Sequence, residues 1–211
     1  ALCAEAERDY EGFWARLARE AGHVFYIEPG PLPGANVAYW GPEIRLGMVQ
    51  PALNLGMDVH SNVDSLSFAV NQSGAEIPIV FIQNPITKFP IPLPVPDVSL
   101  ANPPLGLIPP MPKSVKLMKE TAKLSPIAAL GKGLAAAAGS SADAVTGDGS
   151  LDVLRYGHVL KARQLVGVRG AGLSFDGLYY VKKVSSKLKA GEFKQSFSLA
   201  RNGLISTLPL V

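Results

Sequence analysis

Residues 177–201 read GLYYVKKVSSKLKAGEFKQSFSLAR, with five lysines against a single acid, Glu192. Two runs of strand composition flank residues 189–192, Lys-Ala-Gly-Glu, a short glycine-bearing link of the kind that closes a β-hairpin. In the second run Phe193, Gln195, Phe197, Leu199 and Arg201 share one face, and Lys194, Ser196, Ser198 and Ala200 the other. That alternation marks a strand with one face on a core. The first run breaks its own parity, because Tyr179 and Val181 point one way while Val184 and Leu188 point the other. One extra residue near Lys182 and Lys183, a β-bulge, restores a common apolar face. Gln195 and Arg201 then fall on the core side and need partners in the interior or at a subunit interface.

Composition extends this reading to the whole chain. The 211 residues are 47% hydrophobic and 18% charged, with 21 glycines and 18 prolines. So many glycines and prolines disfavour a helical bundle and favour a loop-rich, mainly β architecture. Prolines and polar residues interrupt every apolar run before it reaches the ~18 residues that a membrane-spanning helix needs. No membrane insertion by this chain is expected. The chain opens on Ala1, in a helical pattern without a cationic and then apolar leader, so an internal piece of a longer protein is expected. Its single cysteine, Cys3, rules out an internal disulfide and reads as a bystander thiol.

Three regions precede the final strands. In residues 5–21 the positions Ala6, Tyr10, Phe13, Trp14, Leu17 and Ala21 recur every three or four residues, predicting an amphipathic helix that Gly22 ends. Strands are predicted at 23–27, 37–40 and 43–49. Residues 59–71 alternate through Leu66, Phe68 and Val70, with residues 77–83, IPIVFIQ, as the expected partner strand. Eleven of the 18 prolines lie between Pro78 and Pro112, centred on FPIPLPVPDV. Proline lacks the donor N–H, so an extended, polyproline-like arm is expected there. Its Phe89, Ile91, Leu93 and Val95 are apolar, which suits an arm lying on another surface of its own chain or of a neighbour. Residues 114–124 read as a short basic helix, and residues 131–150, GKGLAAAAGSSADAVTGDGS, as small and flexible. The domains expected are an α/β unit at 1–50, an antiparallel barrel from 51–83 plus 150–208, and an arm with linker at 84–149.

A search for chemistry finds no catalytic, cofactor-binding or metal-binding residue to nominate. His23, His60 and His158 are far apart, and none has a second ligand at metal spacing. The glycines of residues 167–172 have the wrong order for a dinucleotide fingerprint, and those near Lys132 lack the pattern of a phosphate loop. Residues 172–177, GLSFDG, are one residue too long for a nucleophile elbow. Asp143, Asp148 and Asp152 do not have calcium-loop spacing. What stands out is basicity. Residues 155–201 hold ten Lys and Arg against Asp176 and Glu192, a net of +8 in a chain of +3. Lysines interleaved with Tyr179, Tyr180, Phe193 and Phe197 loosely match an oligonucleotide-binding barrel. A solvated sheet edge carries lysine too.

The segments R-x-L-V-G-V-R-G-x-G (163–172), D-G-x-Y-Y-V (176–181) and G-E-F-K-Q-S-F-x-L-x-R-x-G (191–203) resemble the end of the phage late control protein D family. YEGFWARLAREAGHVFYI and SNVDSLSFAV are similar to that family's aromatic helix with its following strand and to the strand that opens its final barrel. The resemblance implies an α+β, mainly β fold: a barrel hub domain with a small α/β unit and a long Pro-rich and Ala/Gly-rich insertion. It implies a structural, non-enzymatic baseplate hub of a contractile phage tail or related injection system. Three copies would form a ring between the inner tube protein and the spike, assembled in the bacterial cytoplasm. Nucleic acid is not an expected partner. The expected contact residues are Phe89, Ile91, Leu93, Val95, Lys182, Lys183, Gln195 and Arg201. Two other classes stay open: a basic barrel binding nucleic acid or a glycan, and a spike-associated cell-wall hydrolase.

Overall fold

A computed structural model describes residues 9–71, 75–84, 86–96, 102–118, 121–122 and 124–207. Strands take up 47% and helices 18%, so the chain is mainly β. It forms two compact units that interleave in sequence. One draws on Ala1–Ile44, Pro78–Pro96 and Lys116–Ala137, the other on Arg45–Ile77, Asp97–Val115 and Ala138–Val211.

In the first unit, helix α1 (Tyr10–Glu20) starts where Asp9 accepts a hydrogen bond from the Gly12 N–H at 3.0 Å. It ends at Gly22, whose φ of +70° is the left-handed conformation expected of it. The helix packs on a hairpin of β1 (Val24–Pro29) and β2 (Asn36–Gly41). Trp14 sits at the centre, with ring centroids of Tyr10, Phe13, Phe25 and Trp40 all 5.6–6.3 Å away. The expected strand at 43–49 is absent. Residues 42–48 have no regular structure, and β3 (Val49–Asn54) begins only at Val49. Arg45 is drawn inward instead, its backbone N–H donating to Asn102 and its guanidinium to the Ala142 carbonyl.

Strand β4 (Ser65–Val70) does form, but its partner is not residues 77–83. Those lie in β5 (Ala75–Gln83), the middle of a separate sheet between β6 (Pro90–Pro94) and a later strand. A run that is apolar on both faces suits a central strand. The arm is therefore extended and lies on its own chain, but as a sheet strand rather than a polyproline-like path. Val95 N–H donates to Pro78 C=O and Phe89 C=O accepts from Asn84 N–H, so the odd-numbered residues face β5. Pro90, Pro92 and Pro94 fall on the opposite parity, and their missing donors all lie on the open edge.

After β7 (Gly106–Ile108), residues 112–118 form strand β8 (Pro112–Met118) on the other side of β5, where a helix was expected. Val115 and Leu117 alternate with Lys116, and β5 needs a second neighbour for its backbone groups. The segment expected to be flexible is ordered as well. It forms helix α2 (Pro126–Ser141) and strand β9 (Val145–Asp152). Ser125 Oγ accepts from Ala128 N–H at 3.3 Å, a cap followed by proline in the first turn, and the alanines after it are strong helix formers. Gly133 lets the helix approach its sheet closely, since a Cβ there would stand 2.7 Å from Val80 and 2.8 Å from Val95.

The second unit is built on a curled six-stranded sheet. Strands β10 (Leu165–Arg169), β11 (Gly177–Lys189) and β12 (Glu192–Arg201) complete it in the order β3-β10-β11-β12-β9-β4. All its pairs are antiparallel except β3 with β10. Leu53, Val145, Leu151, Val166, Val168, Tyr179, Val181, Phe197 and Leu199 form its core, joined by Val153 and Tyr156 from the single-turn helix α3 (Val153–Tyr156). Strand β13 (Leu204–Ser206) pairs with β7. β9 looks like linker in sequence because its glycines lie under neighbours' side chains: a Cβ on Gly147 would meet Phe68 at 2.9 Å, and one on Gly149 would meet Phe197 at 2.8 Å.

Candidate functional site

The hairpin of β11 and β12 turns at Gly191, with φ +77°, and its ladder runs regularly from Lys189↔Glu192 up to Lys183↔Ser198. The register then shifts, Val181 facing Leu199 and Lys182 left over, so the bulge expected near Lys182–Lys183 is present. It aims Lys182 at Asp143, with which it forms an ion pair. The same carboxylate takes Arg45 Nη2 at 3.0 Å, and the Arg45 guanidinium lies over the Tyr180 ring, 5.1 Å from its centroid. Burial pushes the Asp143 carboxyl up, but the hydrogen bonds and charges of Lys182 and Arg45 outweigh it and hold the group below its ordinary value. Sequence reasoning missed this node, because its three members are 39 and 98 residues apart.

Gln195 and Arg201 find their partners in the interior of their own chain. Gln195, 1% exposed, accepts from Leu160 N–H at 2.9 Å and donates to Leu160 C=O at 3.1 Å and Ser186 Oγ at 3.0 Å. Arg201, fully buried, donates to the carbonyls of Gly203, Asp176 and Ser174 at 2.8, 2.9 and 2.7 Å. Burial lowers its guanidinium pKa. Burial likewise pushes the phenols of Tyr179 and Tyr156 up to about 12.

The remaining expected contact residues are split. Phe89, Ile91 and Leu93 are exposed, Phe89 to 72%, whereas Val95 is buried against Val80 and α2. Lys183 projects from the outer face of the hairpin with Lys187 and Lys189. Tyr179, Tyr180 and Phe197 are buried, so they give that lysine face no stacking platform for bases. Among the described residues no group of three or more His, Cys, Asp and Glu could hold a metal ion, and no helix is long and apolar enough to cross a membrane.

Exposed apolar side chains are frequent in both units, among them Met48, Val59, Ile86, Met111, Ile127 and Leu173. The fold is similar to that of two solved tail proteins. One is the tail protein from Neisseria meningitidis MC58, 12% identical, over 90% of this chain and 54% of that one, with a TM-score of 0.57. The other is the 43 kDa tail protein of prophage MuSo2 from Shewanella oneidensis, 14% identical, over 89% and 53%, also at 0.57. The chain therefore spans about half the length of each. No family model matches it. Curated relatives match only in short stretches. Acetyl-coenzyme A synthetases of Ralstonia nicotianae and Ralstonia pickettii are 71% and 69% identical over 28 and 29 residues, 4% of each enzyme's length. So short a stretch carries no argument about the fold or chemistry of this chain.

Proposed function

We propose that this chain is a structural component of a phage tail, and within that class a baseplate hub of a contractile tail or related injection system. The observation that carries this reading is the likeness to two tail proteins along nine-tenths of the chain. The sequence resemblance in residues 163–203 points the same way, as does the number of exposed apolar side chains, which a partner surface would cover. In this reading three copies form a ring between tube and spike, the six-stranded sheet is the barrel element of the hub, and no step requires a catalytic centre. Phe89, Ile91 and Leu93 on the proline edge, with Lys182 and Lys183 at the bulge, contribute to contacts with a neighbouring subunit or tail protein. Gln195 and Arg201 act from inside by fixing the hairpin that carries those lysines. Obligate rings of this kind bury more than about 2,000 Å² per interface.

Solution mass and electron micrographs of the full-length protein test the proposal. A ring of three copies is the expected result; a monomer or dimer at every concentration would remove the hub reading. Deletion of residues 84–112 should abolish the ring, and assembly without them would remove the arm's role.

A further inference from the structure

We propose that the outer half of β11 is a docking edge for a β-strand of a different protein, one that alternates acidic and apolar residues. The inference rests on the register of the hairpin and its charges, and does not depend on the tail reading.

Strand β10 pairs with β11 only from Gly177 to Tyr180, and no described strand covers the same side of β11 beyond Val181. Val181 turns its backbone to that side, donating to Gln164 C=O at 2.9 Å and accepting from Arg163 N–H at 2.7 Å. Val181↔Leu199 is therefore a non-hydrogen-bonded pair of the hairpin. The bulge shifts the alternation by one residue. From there Lys183, Ser185 and Lys187 bond to β12, while Val184, Ser186 and Leu188 present their N–H and C=O groups outward. No hydrogen bond among the described residues engages those outward groups. The edge is thus a row of open donors and acceptors.

Its side chains specify what can pair with it. A strand added alongside would place one set of residues beside Lys183, Lys187 and Lys189 on the outer face, and the other set beside Val184 and Leu188, the latter 76% exposed. None of the ion pairs described engages Lys183, Lys187 or Lys189. Acids on one face and aliphatic residues on the other complete both rows. A second copy of this chain fits poorly. Its open strands β3, β4, β6 and β8 carry no acid, and β8 carries Lys113 and Lys116; among the two-stranded pairs only β1 offers one, Glu28. Charge complementarity therefore favours a foreign strand over any of these open strands.

The test is backbone amide exchange by nuclear magnetic resonance on the whole chain, with a capped peptide alternating glutamate and valine as probe and one alternating lysine and valine as control. The expected result is slowed exchange at Val184, Ser186 and Leu188 with the acidic peptide only, and binding that weakens as salt rises. Leu188→Pro, which removes an outward N–H at an exposed position, should weaken binding about tenfold and leave the other exchange rates unchanged. Equal binding of both peptides, protection at other strands, or concentration-dependent protection of the same amides without peptide would each overturn the proposal. The last outcome would assign the edge to self-association.

Discussion

The guanidinium carbon of Arg201 lies 4.5 Å from the ring centroid of Tyr179, and the two side chains together tie down the loop before β11. Tyr179 donates to Phe175 C=O at 2.7 Å, while Arg201 holds the carbonyls of Ser174 and Asp176. One aromatic face and three hydrogen bonds thus serve a turn whose own apolar anchor is Phe175, stacked on Phe68. Arg201→Met keeps an unbranched apolar stem but removes the guanidinium and leaves three carbonyls without their donor. It should cost about 3–5 kcal/mol, read as a lower urea midpoint with an unchanged slope.

The bulge yields a second prediction. Deleting Lys182 joins Val181 to Lys183, whose faces already alternate, so every other pair of the hairpin survives. The loss is the ion pair with Asp143 and a local twist, about 1–2 kcal/mol. Deleting Ser185 instead flips the faces of the residues on one side of it and should cost clearly more, because Val184 or Val181 leaves the core. Urea unfolding of the two deletion variants decides; equal losses would contradict the register described.

Stability should fall at both ends of the pH scale for identifiable reasons. The folded Asp143 carboxyl lies below its ordinary value, so its contribution is complete above about pH 4 and is lost as pH falls through the lowered folded value. With the side chain one-third exposed, this amounts to about 1 kcal/mol, and Asp143→Asn should remove that part of the acid slope.

On the alkaline side Tyr156 and Tyr179 are raised to about 12. Their contribution is whole below the unfolded value of about 10 and disappears as pH rises towards 12. Tyr156→Phe should flatten that decline while lowering stability near pH 7, since the bond of 2.6 Å to Pro51 C=O is lost. Chemical denaturation across pH 8–12 reads both effects.

Two glycines of α2 should respond in opposite directions. A Cβ on Gly131 meets nothing within 4 Å, so Gly131→Ala should gain up to about 1 kcal/mol from helix propensity. At Gly133 the same gain is outweighed by the clash with Val80 and Val95, about 1–3 kcal/mol of overpacking. Thermal melting of the two variants should move Tm up and down respectively.

Local patterns made much of this molecule legible. The hairpin, its bulge, the core face of Phe197 and Leu199, and the aromatic helix with its Gly22 terminus all follow from spacing within a few residues. The polar members of the core face, Gln195 and Arg201, could be recognised as needing partners, but their partners could not be named. Leu160 and Ser174 reach them only through the turns of the folded chain.

The sequence by itself determined a mainly β chain, the alternation of its last two strands and the extra residue between their halves, because periodicity and steric limits act between neighbours in the chain. Tertiary structure alone decided which strands meet. β4 bypassed β5 for β9, the proline run became the edge of a sheet, and a glycine-rich stretch entered the centre of another. In each case the deciding contacts come from residues distant in sequence: open backbone groups seeking a partner strand, and rings of Phe68 and Phe197 filling the space that Gly147 and Gly149 leave.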